Sequence, residues 1–417
     1  MKPRIPLNPF VIGHPAEADH FADREHELNR VVQALRDPSG RLVLYGERRL
    51  GKTSTLLRAA DLVRADRCPV AVVDLGQVTS VEAAAQRILT AVHEAVGRRW
   101  SDVTASLLRR FRSATVTMTA STDPMTGAPT VGFAIAPRLA GERGGQVVAD
   151  TLQAIEEELR DRQLSIGLVI DEFQRLVQWD ADLAWLLKSV LESQRQIAYV
   201  LAGSERTVIE QMLHTKRAGL WKLVDVLLMG PIPPAAFTDW LVARAEASGQ
   251  QWERPVAAAV IDLAGPRTRD VIQLARALWQ RTQPRGAATG LHAVEAFDAL
   301  VDDQEAFHQR NWRMLPSDLH RTLLVLVARD PSVQLTSATI LRDYRLGPKS
   351  TVSRAWQWLV THELVTGTAG EAHFDDPFFQ RWVERRVYED FRMRPATVRE
   401  RAAKYEGRRP ASRHPAP

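Results

Sequence analysis

One cysteine, Cys68, occurs in 417 residues, and a lone thiol excludes both an internal disulfide and a cysteine-based metal cluster within one chain. Its place just ahead of an apolar run predicts a buried, structural thiol. Lysine is also scarce, seven of the 55 basic residues, but the arginine excess is spread evenly and carries no functional information. No run approaches the roughly 20 apolar residues that span a bilayer, and prolines interrupt the opening ten residues where a secretory signal would be apolar. These absences lead to the expectation of a cytoplasmic protein. A charge field of one sign is missing as well. The net charge is +5, yet residues 391–417 hold eight Lys/Arg against two Glu, so the rest of the chain is close to neutral. That tail has prolines and few apolar residues and is expected to be disordered, either a solvating terminus or a nonspecific nucleic-acid arm.

What the chain does hold is the run Gly46-Glu47-Arg48-Arg49-Leu50-Gly51-Lys52-Thr53, followed by Ser54, which fits the phosphate-loop pattern G-x-x-x-x-G-K-[ST]. It lies between a predicted strand, Leu42 to Tyr45, and a helix with Leu56, Leu57, Ala60 and Val63 on one face, as the mechanism requires. Small residues let backbone amides converge on a β-phosphate, and the helix N-terminus adds partial positive charge. Lys52 would reach the β- and γ-phosphates and the Thr53 hydroxyl would ligate Mg²⁺. This implies that the chain binds ATP or a similar nucleoside triphosphate.

The apolar strand Ser165 to Ile170 ends in Asp171-Glu172. A buried parallel strand delivers its first polar residues at the carboxyl edge of the sheet, so Asp171 is expected to orient Mg²⁺ and Glu172 to polarise the attacking water. At the end of the next strand, Ser204 and Arg206 can reach the γ-phosphate or that water; a helix cap and a surface arginine are the plainer alternative. In an alanine-rich helical stretch, Pro266 precedes Arg267 and Arg269 at a helix start, where either arginine could sense the nucleotide.

The order before residue 113 is βαβα. Residues 113–136 then alternate around a turn and predict an inserted hairpin of unassigned role. From Pro316, three helices and a hairpin predict a winged helix-turn-helix. Its third helix shows Lys349, Ser350, Ser353, Arg354 and Gln357 on one side and Val352, Trp356 and Leu359 on the other. The first set suits phosphate and base-edge contacts in double-stranded DNA. Winged helices also bind proteins, and Asp375-Asp376 beside the wing would repel a DNA backbone, so both partners stay open. His362-Glu363 starts like a zinc-protease motif but lacks the second histidine.

The chain resembles the archaeal-type ATPase family, within the P-loop STAND division of the AAA+-like ATPases and related to the origin-recognition initiators. The residues that carry the resemblance are Phe21-Ala22-Asp23-Arg24-Glu25-His26-Glu27-Leu28, the loop GERRLGKTS, the strand LVIDEFQ, the LAGSER segment and Asp376-Pro377-Phe378-Phe379. The resemblance implies an α/β ASCE-type P-loop NTPase with parallel sheet order 5-1-4-3-2, an α-helical lid over the nucleotide and a winged helix. It also implies that residues 8–21, including Pro9 and Phe10, wall the adenine pocket. The expected division is 1–40 for the pocket segment and first helix, 41–230 for the ATPase core, 231–310 for the lid, 311–390 for the winged helix and 391–417 for the tail. The implied activity is slow, Mg-dependent ATP hydrolysis that switches binding to DNA or a partner. Two other readings are a signalling or defence scaffold in which ATP licenses homo-oligomers and the winged helix binds protein, and an initiator-like DNA remodeller.

Overall fold

Strands form where apolar, largely β-branched runs can be covered on both faces. In the computed structural model these are β1 (Arg41–Tyr45), β2 (Val70–Asp74), β3 (Ala114–Thr122), β4 (Pro129–Pro137), β5 (Ile166–Asp171), β6 (Ile197–Gly203) and β7 (Asp225–Leu228). Residues 7–13, 21–97, 110–111, 114–122, 129–137, 144–180, 182–214, 220–282, 286–367, 370 and 372–390 are described. The expected disordered tail and the hairpin tip at 123–128 lie outside them. The chain divides into one unit of Gly13–Pro231 and a second formed by Ile232 onward with the segment ending at Ile12. The expected first block, residues 1–40, is therefore shared between the two.

In the first unit β2-β5-β6-β1-β7 form one sheet, parallel throughout. Counted without the hairpin strands, this order reads 5-1-4-3-2 from the β7 edge. Every residue of β5 and β6 is buried. Helices α1 (Glu25–Arg36) and α2 (Lys52–Ala65) cover one face, where Val32, Leu35, Leu56 and Val63 pack on Leu42, Leu44 and Val200. On the other face lie α3 (Val81–Val96), α4 (Gly144–Asp161), α5 (Gln174–Trp179) and α6 (Leu183–Ser193), with Ile88, Leu152 and Leu187 against Val43, Leu168 and Leu201. Each fully buried leucine stabilises the unit by roughly 1.5–3 kcal/mol. The sequence explains α3 well. Val81, Ala84, Ala85, Ile88, Leu89, Val92 and Val96 make one buried stripe, and the Ser80 hydroxyl caps the start by accepting the Ala83 N–H at 3.2 Å.

One expectation changes. Cys68 is exposed, in the turn after left-handed Arg67 (φ 63°), because β2 begins only at Val70. The last core strand, β7, spans only Asp225–Leu228 and follows a 3₁₀ turn at Leu220–Lys222. The short helix α5 directly after Glu172 had no periodic signal. The hairpin does form: Val116 pairs with Ile135, and Phe133 and Ile135 join the core beside α3. Beyond it, α7 (Arg206–His214) follows β6.

The second unit is helical: α8 (Pro234–Ala247), α9 (Arg254–Ala264), α10 (Thr268–Arg281), α11 (Gly290–Asp303) and α12 (Glu305–Arg313). Then come α13 (Asp318–Arg329), α14 (Ala338–Asp343), α15 (Lys349–Thr361), the short pair β8 (Val365–Thr366) and β9 (His373–Phe374), and α16 (Pro377–Asp390). Helices α13 to α15 with β8 and β9 make the winged helix. Arg381 of α16 binds Asp298 of α11 at 3.0 Å, which ties the winged helix to the helices before it. No helix among the described residues is long and apolar enough to cross a membrane.

Candidate functional site

The strands of the sheet end together: Asp74 is level with Asp171, and Tyr45 with Gly203. From Tyr45 the chain enters the glycine loop. Gly46 is required by close approach, because a Cβ there would stand 2.3 Å from the Met229 main-chain oxygen. Gly51, at φ 100°, makes the left-handed turn into α2. Lys52 is only 5 % exposed, and its Nζ donates to the carbonyls of Gly46 (2.8 Å) and Glu47 (2.6 Å), across the loop it closes. The Thr53 hydroxyl donates to Asp171 Oδ2 at 2.6 Å. The other Asp171 oxygen accepts the Glu172 N–H at 2.9 Å. Loop, helix start and strand end thus meet at one edge.

Burial sets the electrostatics. It pulls the Lys52 ammonium below the usual lysine range, against the carboxylates of Glu172 and Asp171. It raises the Asp171 carboxyl above the usual aspartate range, against the Thr53 hydrogen bond. A hydroxyl and a carboxylate oxygen 2.6 Å apart are hard donors of the kind Mg²⁺ takes, together with phosphate oxygens and water. Among the described residues no group of three or more His, Cys, Asp or Glu could hold a metal. The pair therefore fits a cation that completes its shell from bound phosphate.

Glu172 is held in a left-handed conformation at φ 54°, which is uncommon for a residue with a side chain. Its Oε2 accepts from the Ser204 hydroxyl at 2.8 Å, and Arg48 Nε approaches the same hydroxyl at 3.4 Å. Arg206 opens α7, but its side chain lies outside the described residues. Glu47 and Arg48 are exposed, Arg49 is left-handed at φ 66° and partly buried, Leu50 is buried and Ser54 is partly buried in the first turn of α2.

Sequence reasoning missed two residues here. Arg24 is 5 % exposed and donates to the carbonyls of Leu50 (3.1 Å) and Gly230 (2.7 Å), bracing the loop against the end of the sheet unit. It lies within the quoted motif before α1, which was its only signal. Gln174 donates through Nε2 to Glu172 Oε2.

Four predicted nucleotide residues belong to the other unit. Phe10 is fully buried there, stacked on Trp252 at 5.2 Å and edge-on to Trp240, so its ring is committed to the core and offers no face to a base. Pro9 precedes it, and Asn8 and Arg276 pin the segment through Asn8 Nδ2 to Arg276 O (3.1 Å) and Arg276 Nη1 to Phe10 O (3.0 Å). Pro266 is exposed. Arg267 is buried, and its Nη2 pairs with Asp375 Oδ1 at 2.7 Å while Nη1 donates to the Asp375 carbonyl. This guanidinium fastens the helical segment to the wing.

On α15, Lys349, Ser350, Ser353, Arg354 and Gln357 are all exposed, while Val352, Trp356 and Leu359 are buried. The acids beside the wing are occupied. Asp375 holds Arg267, and Asp376 Oδ1 accepts the N–H groups of Phe378 (2.8 Å) and Phe379 (3.2 Å) at the start of α16. A cavity of about 610 Å³, lined by Arg64, Cys68, Glu94 and Leu164, lies at the opposite, amino-terminal end of β2 and holds none of the predicted residues.

A family model described as an ATPase domain predominantly from Archaea matches residues 21–230, and a model of a probable winged helix domain matches residues 306–385. No curated protein matches the chain. Among solved structures it is similar to the Walker-type ATPase PABY2304 of Pyrococcus abyssi, with TM-score 0.58 and 12 % identity over 90 % of this chain and 99 % of that one. It is also similar to the ORC2 protein of Aeropyrum pernix in its ADPNP–ADP complexes, with TM-score 0.51 and 14 % identity over 92 % and 98 %. Both likenesses concern the fold.

Proposed function

The chain belongs to the family of ATPase domains predominantly from Archaea, and on that footing we propose that it is a magnesium-dependent ATP-binding and ATP-hydrolysing switch that acts on DNA through its winged helix. The observation that carries this reading is the 2.6 Å contact between Thr53 and Asp171, with Lys52 inside the loop and Glu172 next in the chain. The amides of residues 46–53 and the Lys52 ammonium bind the phosphates. Thr53 and Asp171 hold the cation, which when bound neutralises phosphate charge. Glu172 takes the proton of the water whose oxygen attacks the γ-phosphorus, as the bond from that phosphorus to the leaving oxygen breaks. Ser204 orients the Glu172 carboxylate. Turnover is slow, since a switch must hold its state longer than the signal it passes on, and the nucleotide shifts that state only by its differential affinity.

The exposed face of α15 supports DNA as the partner, and the ion pair of Asp375 with Arg267 lowers the negative charge beside the wing. The test has two parts. Lys52→Ala should lose binding of a fluorescent ATP analogue, and Glu172→Gln should bind it but not cleave ATP; undiminished turnover in Glu172→Gln removes Glu172 as the base. Light scattering with ADP or a non-hydrolysable ATP analogue, with and without duplex DNA, then separates the partners. Nucleotide-dependent oligomers indifferent to DNA would replace the DNA reading with the scaffold reading.

A further inference from the structure

Gln174 lies in the first turn of α5, two residues past Glu172, and is 1 % exposed. Its Nε2 donates to Glu172 Oε2, whereas its Oε1 is buried with no hydrogen-bond partner. An ionised carboxylate only accepts, so the amide must turn its NH₂ toward Glu172. The orphaned oxygen then faces the end of β6, where a Cβ on Gly203 would stand 2.2 Å from it. A buried oxygen without a partner is unfavourable, and an apolar side chain of the same volume would fill the space without that penalty. Packing therefore gives no reason for an amide at position 174. The bond to Glu172 does.

That same Glu172 oxygen accepts from Ser204 at 2.8 Å. Two donors from two elements, the end of β6 and the start of α5, converge on one oxygen of a residue whose backbone is already left-handed. We infer that Gln174 is a positioning residue: with Ser204 it clamps one carboxylate oxygen of Glu172 and so fixes the direction in which the other can take a proton from water. This rests on the ATPase reading above. Gly203 belongs to the same device, since any side chain there would displace the amide.

The test uses the full chain and Gln174→Met, which keeps the volume and removes the donor. With a fluorescent non-hydrolysable ATP analogue its affinity should stay within about twofold of wild type, while kcat falls about 10- to 100-fold at similar KM, the scale of a misaligned reacting group. Gln174→Glu adds a signature that packing alone would not give. Only its protonated carboxyl can donate, so its activity relative to wild type should fall as pH rises. Gly203→Ala, which alters no polar group, should lower kcat in the same way. Wild-type kcat in Gln174→Met overturns the inference, as does a parallel loss of kcat and analogue affinity. If Glu172→Gln hydrolyses ATP as wild type does, the ATPase assignment of Glu172 fails first, whatever Gln174 does.

Discussion

Replacing Arg267 with alanine separates a structural arginine from a nucleotide sensor. The guanidinium is 7 % exposed and its partner carboxylate, Asp375, 16 % exposed. One arm binds Asp375 Oδ1 at 2.7 Å and the other the main-chain carbonyl of the same residue. Removing one member of a buried ion pair costs about 3–5 kcal/mol, because the other charge is left desolvated and alone. Asp375 keeps some water, and a hydrogen bond to a charged group contributes about 1.5–3 kcal/mol, so Arg267→Ala should destabilise the helical unit by about 2–3 kcal/mol. Asp375→Ala should cost a similar amount, and the double variant should cost less than the two together by about 1–3 kcal/mol, as neighbours in contact do. The assay is urea unfolding of the four proteins followed by tryptophan fluorescence, with ATP-analogue affinity measured in parallel. Affinity should not change. Additive losses of stability would refute the pairing; unchanged stability with weakened nucleotide binding would restore Arg267 to the sensor role that its sequence context suggests.

Asp171→Asn should stabilise the ligand-free protein at pH 7 and weaken Mg-ATP binding, both readable by thermal unfolding with and without ligand. The sign follows from burial: the folded carboxyl titrates above the ordinary 3.8, so native protein binds more protons than unfolded chain in that interval and stability falls as pH rises through it. The ligand-free wild type should accordingly lose more stability than Asp171→Asn as pH rises from about 4. Phe10→Ala should destabilise the helical unit by about 3–5 kcal/mol, the usual loss for a buried aromatic ring, and leave ATP-analogue affinity unchanged; a selective loss of affinity would return Phe10 to an adenine pocket. Arg354→Ala should weaken duplex binding evenly across sequences and lower the slope of log affinity against log salt by about 1; an unchanged slope, measured by fluorescence anisotropy, removes that phosphate contact.

The phosphate loop was legible because its residues are consecutive and its chemistry is largely that of the backbone. The meeting of Thr53 with Asp171, 118 residues later, was legible for a different reason: parallel strands place their first polar residues at one edge, so two strand ends sufficed. What escaped has one cause. Periodicity tells which face of a helix is buried but not against what, and Arg24 finds Gly230 across 206 positions of the chain. Phe10 has the look of a base-stacking residue in a polar, proline-rich segment, yet Trp240 and Trp252 enclose it. Arg267 precedes a helix whose own first turn holds Asp270, yet the carboxylate it pairs with arrives from the wing, 108 residues on. Cys68 stands just ahead of an apolar run, yet Arg67 adopts a left-handed turn that puts the thiol in water before β2 begins.

The phosphate-loop groups differ from the core in the sign of what they contribute. Leu56, fully buried under the sheet, stabilises the unit with or without a ligand, and its truncation would lower stability by about 2–5 kcal/mol in both states. Lys52 and Asp171 are under tension in the ligand-free chain. Burial disfavours the charged form of each, the ammonium drawn down and the carboxyl drawn up; the carboxylates of Glu172 and Asp171 partly oppose this at Lys52, and the hydrogen bonds from Thr53 and the Glu172 N–H partly oppose it at Asp171, where the charge of Glu172 adds to it. A polyphosphate carrying a divalent cation brings negative charge to the lysine and positive charge to the aspartate, so it favours the charged form of both at once. By linkage, binding is strengthened by whatever those two groups had cost the free fold. Neutral replacements should therefore raise the stability of the free protein and reduce the stabilisation that ligand adds. A core residue cannot produce that crossing of signs, whatever its size, because its contacts are the same in both states.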